Sequence, residues 1–346
     1  MNVFLVQSPL QVLAAFEARE TFPGEPAQLI VMLSPNKTRN NTQILEAVSR
    51  TGWLQPLIIR PQRGRPLHNL RIKAALFLSL KRLAHQHVAN LFMGDFRSIW
   101  MNRARGLCEP ETTWLIDDGM VTPYVQKHFF SQGIYWPVTR KQKLNNLVRS
   151  LVNRWHGSER LRDTPISVFS VYDMPVPAAP GQRVVRHHYE HLRSLGSGQR
   201  RSEHDLYFFG SKLSEVGIIT RDTEIDLLAQ TLAWSRAQQL ALHYIPHRED
   251  HPDKLDRIRA LDIPVKPLGM PAELYFVLSE QIPAGIATFC SSAMSSLSCI
   301  ADFPLRCAFV IPETAIRESS RDALALIYQG FDQTGVRLIR MNDNTP

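Results

Sequence analysis

Short runs rich in Val, Ile, Leu and Phe alternate along the whole chain with longer segments of helical period. That alternation restricts the fold to parallel sheets covered by helices, an α/β class. In the first half, strands are expected to begin at Val3, Gln28, Leu57, Leu91 and Thr113, with helices over residues 10–22, 42–50 and 69–85. A second round places strands near Leu206, Leu240, Val265, Ala284, Leu305 and Val336. Between the rounds the chain reads Y-D-M-P-V-P-A-A-P-G-Q, where prolines remove donors and stiffen an extended backbone, so the linker is expected there. The division is an N-terminal Rossmann-like domain over residues 1–175, a linker and connecting helix over 176–203, and a C-terminal Rossmann-like domain over 204–346, whose last helix can cross back. Two such halves facing across a cleft describe a GT-B architecture. At 346 residues the chain is long enough to give each half its own core.

Several function classes are disfavoured by what the strands lead into. The first opens onto Q-S-P-L-Q and the first of the second half onto G-S-K-L-S, so neither carries the G-x-G-x-x-G turn of a dinucleotide site. The net charge of +8 calls for anionic partners. It does not choose among nucleic acid, an anionic membrane and phosphorylated or acidic sugars, but no clustered basic and aromatic stripe marks a nucleic-acid module. Cys108, Cys290, Cys299 and Cys307 form no C-x-x-C pair, which fits reduced thiols in a cytoplasmic protein. The run from Val3 to Val6 lacks a basic flank and reads as a strand rather than a signal peptide, and no apolar stretch is long enough to span a bilayer. The segment 138–163 reads as a basic amphipathic helix, with Leu144, Leu147, Val148, Leu151, Val152 and Trp155 on one stripe. It can pack on its own domain or lie on the inner face of a membrane.

Candidate chemistry gathers at expected strand ends. T-T-W-L-I runs into Asp117, Asp118 and Gly119. Two adjacent carboxylates suit a general base, because mutual repulsion raises one proton affinity and glycine frees the turn, although either Asp can instead cap the next helix. The strand near Leu240 runs into His247 and Arg248, where a histidine can donate to a departing phosphate and a guanidinium can pair with it; a charged surface turn is the plainer reading. Ser291 and Ser292 fall where a helix begins, a site for an anion or simply for capping. Glu273 starts another helix and can hold both ribose hydroxyls, or only complement the helix dipole. Gly210 allows close backbone approach to a ligand, and Lys212 can reach a phosphate or carboxylate. His187, His188, Glu190 and His191 contain metal-ligating types, but without an outlying ligand they read as a solvated helix face.

The ordered set S-P-L-Q with Gln7 and Ser8, D-D-G at 117–119, P-H-R at 246–248, P-A-E at 271–273 and S-S at 291–292 resembles the bacterial lipooligosaccharide sialyltransferases and capsule polysialyltransferases. The resemblance rests on motifs of two or three residues spread over both halves. It implies an inverting, metal-independent GT-B transferase without a cofactor, moving a nonulosonic acid from a CMP-activated donor to a surface glycan. By that resemblance Asp117 or Asp118 is the base, His247 assists CMP departure, Ser291 and Ser292 hold the phosphate and Glu273 the ribose. One departure from the pattern leaves the histidine open: the family's His-Pro is P-H-R here, while a literal His-Pro stands at His251 and Pro252. A transferase using CMP-Kdo or another nucleotide sugar is the nearest alternative, and a basic nucleic-acid-binding protein the alternative of another class.

Overall fold

The computed structural model describes residues 1–119, 121–137, 164–174, 179–196 and 200–341. The chain divides into two compact units, Met1–Leu192 and Arg193–Pro346.

The first unit is built on seven parallel strands, in spatial order Leu57–Ile59 (β3), Ala27–Met32 (β2), Asn2–Val6 (β1), Asn90–Met93 (β4), Thr112–Ile116 (β5), Ser167–Ser170 (β6) and Val184–Arg186 (β7). Strands β1 (Asn2–Val6), β2 (Ala27–Met32), β3 (Leu57–Ile59), β4 (Asn90–Met93) and β5 (Thr112–Ile116) start within a residue of expectation. Strands buried on both faces read as unbroken apolar runs, which is why they are visible in the sequence. Between them run α1 (Pro9–Thr21), α2 (Thr38–Arg50), α3 (Pro66–Ala84) and α4 (Ile99–Cys108), and α5 (Val121–His128) follows β5. Two strands were not anticipated, β6 (Ser167–Ser170) and β7 (Val184–Arg186). β7 pairs with β6, so residues 184–192, read as linker, belong to the first unit. The amphipathic helix expected over 138–163 lies outside the described residues.

An aromatic row stiffens the middle of this sheet. Phe4 stacks on Phe92 at 4.5 Å, Phe92 on Trp114 at 6.0 Å, and Phe22 tilts against Phe92, Trp114 and Phe169. Phe4, Phe92, Trp114 and Phe169 come from the neighbouring strands β1, β4, β5 and β6, Phe22 is added from the end of α1, and their packing holds these strands together. The strand order reverses between β1 and β4, the position at which a ligand crevice opens in doubly wound sheets.

The second unit repeats the plan with β9 (Asp205–Phe209), β10 (Ala241–Ile245), β12 (Gly285–Thr288), β13 (Leu305–Val310) and β14 (Arg337–Arg340). Their order is β10-β9-β12-β13-β14, all parallel, and a separate two-stranded sheet joins β8 (Arg200–Arg201) to β11 (Gln281–Ile282). The strand expected at Val265 is reduced to one bridge with Tyr244. Pro264 and Pro267, on either side of Val265 and Lys266, explain this, since two missing N–H groups stop a ladder from extending. Here the order reverses between β9 and β12.

Candidate active site

In the first unit, β1, β4 and β5 deliver their following residues to one sheet end. Ser8 begins α1 as its N-cap: its extended backbone and Pro9 set the helix entry, and its Oγ accepts from Gln11 N at 3.3 Å. The same hydroxyl donates to Asp118 Oδ1 at 3.2 Å. Asp95, which follows β4, was missed in the sequence reading, although M-G-D after an apolar strand is the same signal as D-D-G after β5. Gln7 Nε2 donates to Asp95 at 3.3 Å, Trp100 Nε1 donates to Gln7 Oε1 at 2.9 Å, and the Arg97 side chain contacts Asp95 Oδ1 at 3.3 Å. Gly119 has φ of +63°, a left-handed turn that a Cβ would strain, so the third letter of D-D-G is a backbone requirement.

The two aspartates have different surroundings. Asp117 is 1% exposed; it accepts from Ser170 Oγ at 2.5 Å and Val171 N at 2.8 Å, and its Oδ2 lies 3.3 Å from His187 Nε2. Asp118 is buried enough that its proton affinity rises, and the Asp95 charge raises it further, against the lowering effects of Gln11, Ser8 and Arg97. The expectation that the adjacent aspartate supplies the repulsion is thus corrected. The carboxylate facing Asp118 is Asp95, brought alongside by the pairing of β4 with β5.

His187 is also corrected, from a solvated helix face to the interior. It leaves β7, is 3% exposed, stacks on Phe169 at 4.3 Å and meets Tyr189 edge-on at 4.7 Å. Its Nδ1 accepts from Tyr189 N at 3.4 Å, which places the ring proton on Nε2, toward Asp117. The 3.3 Å contact is off the line of a good hydrogen bond, so the ring is held in place by its stacking on Phe169 and the Tyr189 N–H more than by Asp117. The helix that follows is a single turn, Glu190–Arg193, in which His191 N and Leu192 N donate to Glu17 of α1.

In the second unit, β10 ends at Ile245 and the chain turns through His247, Arg248 and Glu249. His247 N donates to Asp250 Oδ2 at 2.8 Å, and its Nδ1 accepts from Glu249 N at 3.1 Å, leaving Nε2 as the proton-bearing nitrogen. Burial, reinforced by Arg248, pushes the imidazole down to about 4, so it is neutral near pH 7. His251 instead N-caps the helix Pro252–Arg259, its Nδ1 accepting from Asp253 N at 3.3 Å. Of the two histidines, His247 is the one at the strand edge.

Beneath that turn sits Lys254, 0% exposed, which contacts Glu224 at 2.5 Å, Asp250 at 3.0 Å and Glu215 at 3.4 Å and donates to Ser211 O at 3.0 Å. Asp250 also accepts from Tyr244 OH at 3.0 Å. This network corrects one expectation. A Cβ at Gly210 would run into the Tyr244 hydroxyl, so the glycine accommodates the protein's own tyrosine rather than a ligand. Lys212, half-exposed, forms an ion pair with Glu249 at 2.9 Å.

Beyond β12, Thr288 Oγ1 donates to Phe209 O at 2.9 Å and accepts from Ser291 N at 2.8 Å, tying the Ser-Ser turn to β9. Ser291 Oγ accepts from Ala293 N at 3.3 Å, and Ser292 begins the helix Ala293–Ile300 without a side-chain cap bond of its own. One turn along this helix, Ser296 Oγ donates to Glu273 Oε1 at 2.5 Å. Glu273 is buried in the first turn of the helix Ala272–Leu278; burial raises its proton affinity, while Ser296 and the Arg248 charge lower it. The structure therefore brings Glu273 to the Ser-Ser helix, with Arg248 near enough to act on both Glu273 and His247. Among the described residues no group of three metal-ligating side chains is assembled, and no helix is long and apolar enough to cross a membrane.

No family model matches the chain, and no curated protein is matched. Among solved structures it is similar to an α/β-galactoside α-2,3-sialyltransferase from the luminous marine bacterium Photobacterium phosphoreum, at 11% identity over 97% of each chain and a TM-score of 0.51. It also matches the UDP-GlcNAc 2-epimerase from Neisseria meningitidis bound to UDP-GlcNAc, at 11% identity over 96% of this chain and 91% of that one, with a TM-score of 0.47. MurG of Acinetobacter baumannii matches at 11% identity over 100% and 87%, with a TM-score of 0.42. The first likeness, together with two doubly wound units, gives the chain the GT-B fold.

Proposed function

We propose that the chain is a GT-B glycosyltransferase that moves a nonulosonic acid, sialic acid or a relative, from its CMP-activated form to a bacterial surface glycan. The observation that carries this reading is a division of chemistry between two sheet ends. In the first unit a half-buried carboxylate, Asp118, is raised in proton affinity by desolvation and by Asp95; in the second, donors suited to an anion leave β10 and β12. An even count of two Rossmann-like units alone would fit many nucleotide-sugar chemistries, and fold does not determine function.

In this reading Asp118 takes the proton from the acceptor hydroxyl as that oxygen attacks the anomeric carbon, and the bond from that carbon to the CMP phosphate breaks with inversion. His247 donates through Nε2–H to the departing phosphate, a role open to a neutral imidazole whose Nδ1 is already accepting. Ser291 and Ser292 hold the phosphate at the helix start, Arg248 adds positive charge, and Glu273 accepts from the ribose. Transfer then proceeds without a metal or cofactor, because donors and a guanidinium supply the stabilisation a cation would give. Asp117 organises its surroundings through Ser170, Val171 and His187.

Isothermal titration with CMP, UMP, GMP and NAD tests the nucleotide assignment. CMP is expected to bind selectively, and Ser291→Ala with Ser292→Ala to weaken it on the order of tenfold or more while the fold is kept. Equal affinity for UMP, or an unchanged CMP affinity in the double variant, would remove the assignment.

A further inference from the structure

The sequence from residue 47 to 94 contains no Asp or Glu, yet residues 60–82 carry Arg60, Arg63, Arg65, Arg71, Lys73, Lys81 and Arg82, all exposed. Most of these cations lie on α3 or in the loop that leads into it. The inner face of α3 buries Leu76 and Leu80 against the first unit's core. A second apolar stripe points the other way: Leu67, Leu70 and Leu78 are 75%, 64% and 57% exposed. At a hundred degrees per residue, Leu67, Leu70, Arg71, Ala74, Leu78, Lys81 and Arg82 share one face, roughly opposite Leu76. The Lys81 ammonium lies over the Phe77 ring, 5.0 Å from its centroid, on an exposed side chain.

We propose that this outer face of α3 docks on an anionic lipid bilayer, with the three leucines entering the headgroup boundary and the arginines and lysines meeting lipid phosphates. Charge complementarity selects the occupant. A helix that lies in a membrane interface combines an apolar stripe with flanking cations, and anionic lipid attracts each cation near the surface. Nucleic acid would use the cations but leave the leucines without a role, since phosphate contacts need charge and base contacts need stacking rings. Apposing this face with a second copy would bring together two clusters of like charge. The inference is independent of the catalytic reading, because it concerns binding alone, and it differs from the contact expected of residues 138–163.

Flotation of the full chain with phosphatidylcholine vesicles, with and without phosphatidylglycerol, tests it. Binding is expected with phosphatidylglycerol and is expected to weaken as salt is added. Leu67→Ser with Leu70→Ser and Leu78→Ser, and separately Arg71→Glu with Arg82→Glu, should each lower vesicle partition about tenfold or more, with circular dichroism unchanged. These positions are exposed, so neither variant disturbs the core. Unchanged partition in both variants would overturn the proposal and leave the binding to another segment. So would tight binding to a DNA duplex without vesicle binding, or a concentration-dependent dimer that the leucine variant dissolves without any vesicle binding.

Discussion

Asp117 accepts two hydrogen bonds and faces His187 inside the first unit, while Asp118 is raised in proton affinity by burial and by Asp95. Substitution should therefore separate stability from chemistry. Asp118→Asn is expected to lower turnover on the order of a hundredfold or more. It should not lower the melting temperature at neutral pH. A carboxylate whose folded pKa is raised favours the fold below its unfolded value and loses that contribution as pH rises through the folded value, so a neutral amide escapes the loss. Asp117→Asn should instead cost about 1–3 kcal/mol in denaturant unfolding, because a buried network of Ser170, Val171 and His187 must be rearranged. A thermal scan beside a turnover assay reads both; equal effects from the two variants would contradict the division. His247 gives the opposite sign from Asp118. Its folded value of about 4 lies below the unfolded value, so its contribution is complete above the unfolded value of 6.5 and is lost as pH falls from there toward 4. His247→Gln should accordingly lose less stability than the native chain between pH 7 and pH 4.5 in parallel urea titrations.

At the scale of elements, the turn after β10 stands on the buried Lys254 network. Lys254→Met should destabilise by about 3–5 kcal/mol, since Glu224 and Asp250 would remain buried without their cation. Ser8→Ala, which removes both the α1 cap and a donor to Asp118, should cost about 1 kcal/mol. Urea unfolding measures both, and a smaller loss for Lys254→Met than for Ser8→Ala would show that the network contributes little. These elements also show how far the sequence could be read. β1, β2, β4 and β5 were legible because each is an apolar run between polar turns, and D-D-G, P-H-R and S-S were placed by following those runs to their ends. β6 and β7 were not, because S-V-F-S and V-V-R are short and become strands through their pairing with β5 and with each other. His187 was misread for the same reason: H-H-Y-E-H looks solvated until the strand before it is docked beside Phe169. Asp95 reaches Asp118 through strand order, which local pattern does not reveal. The burial of Lys254 follows from three acidic partners that lie apart in the chain.

For the whole molecule, each unit has a sheet end at a reversal of strand order, one carrying the proposed base and the other the proposed phosphate donors beside the proposed ribose acceptor, Glu273. The account stands or falls on whether both ends serve one transfer from a CMP-linked sugar. The direct measurement is nucleotide release from CMP-sialic acid, CMP-Kdo and UDP-GlcNAc in EDTA, with lipooligosaccharide or capsule oligosaccharide as acceptor, for the native chain, Asp118→Asn and the Ser291→Ala, Ser292→Ala pair. The account predicts acceptor-stimulated release of CMP from CMP-sialic acid, coupled to sialylated product. Release should be lost on the order of a hundredfold in Asp118→Asn and should need more donor in the serine pair. Turnover confined to UDP-GlcNAc, a strict need for a divalent cation, or full activity in folded Asp118→Asn would contradict it.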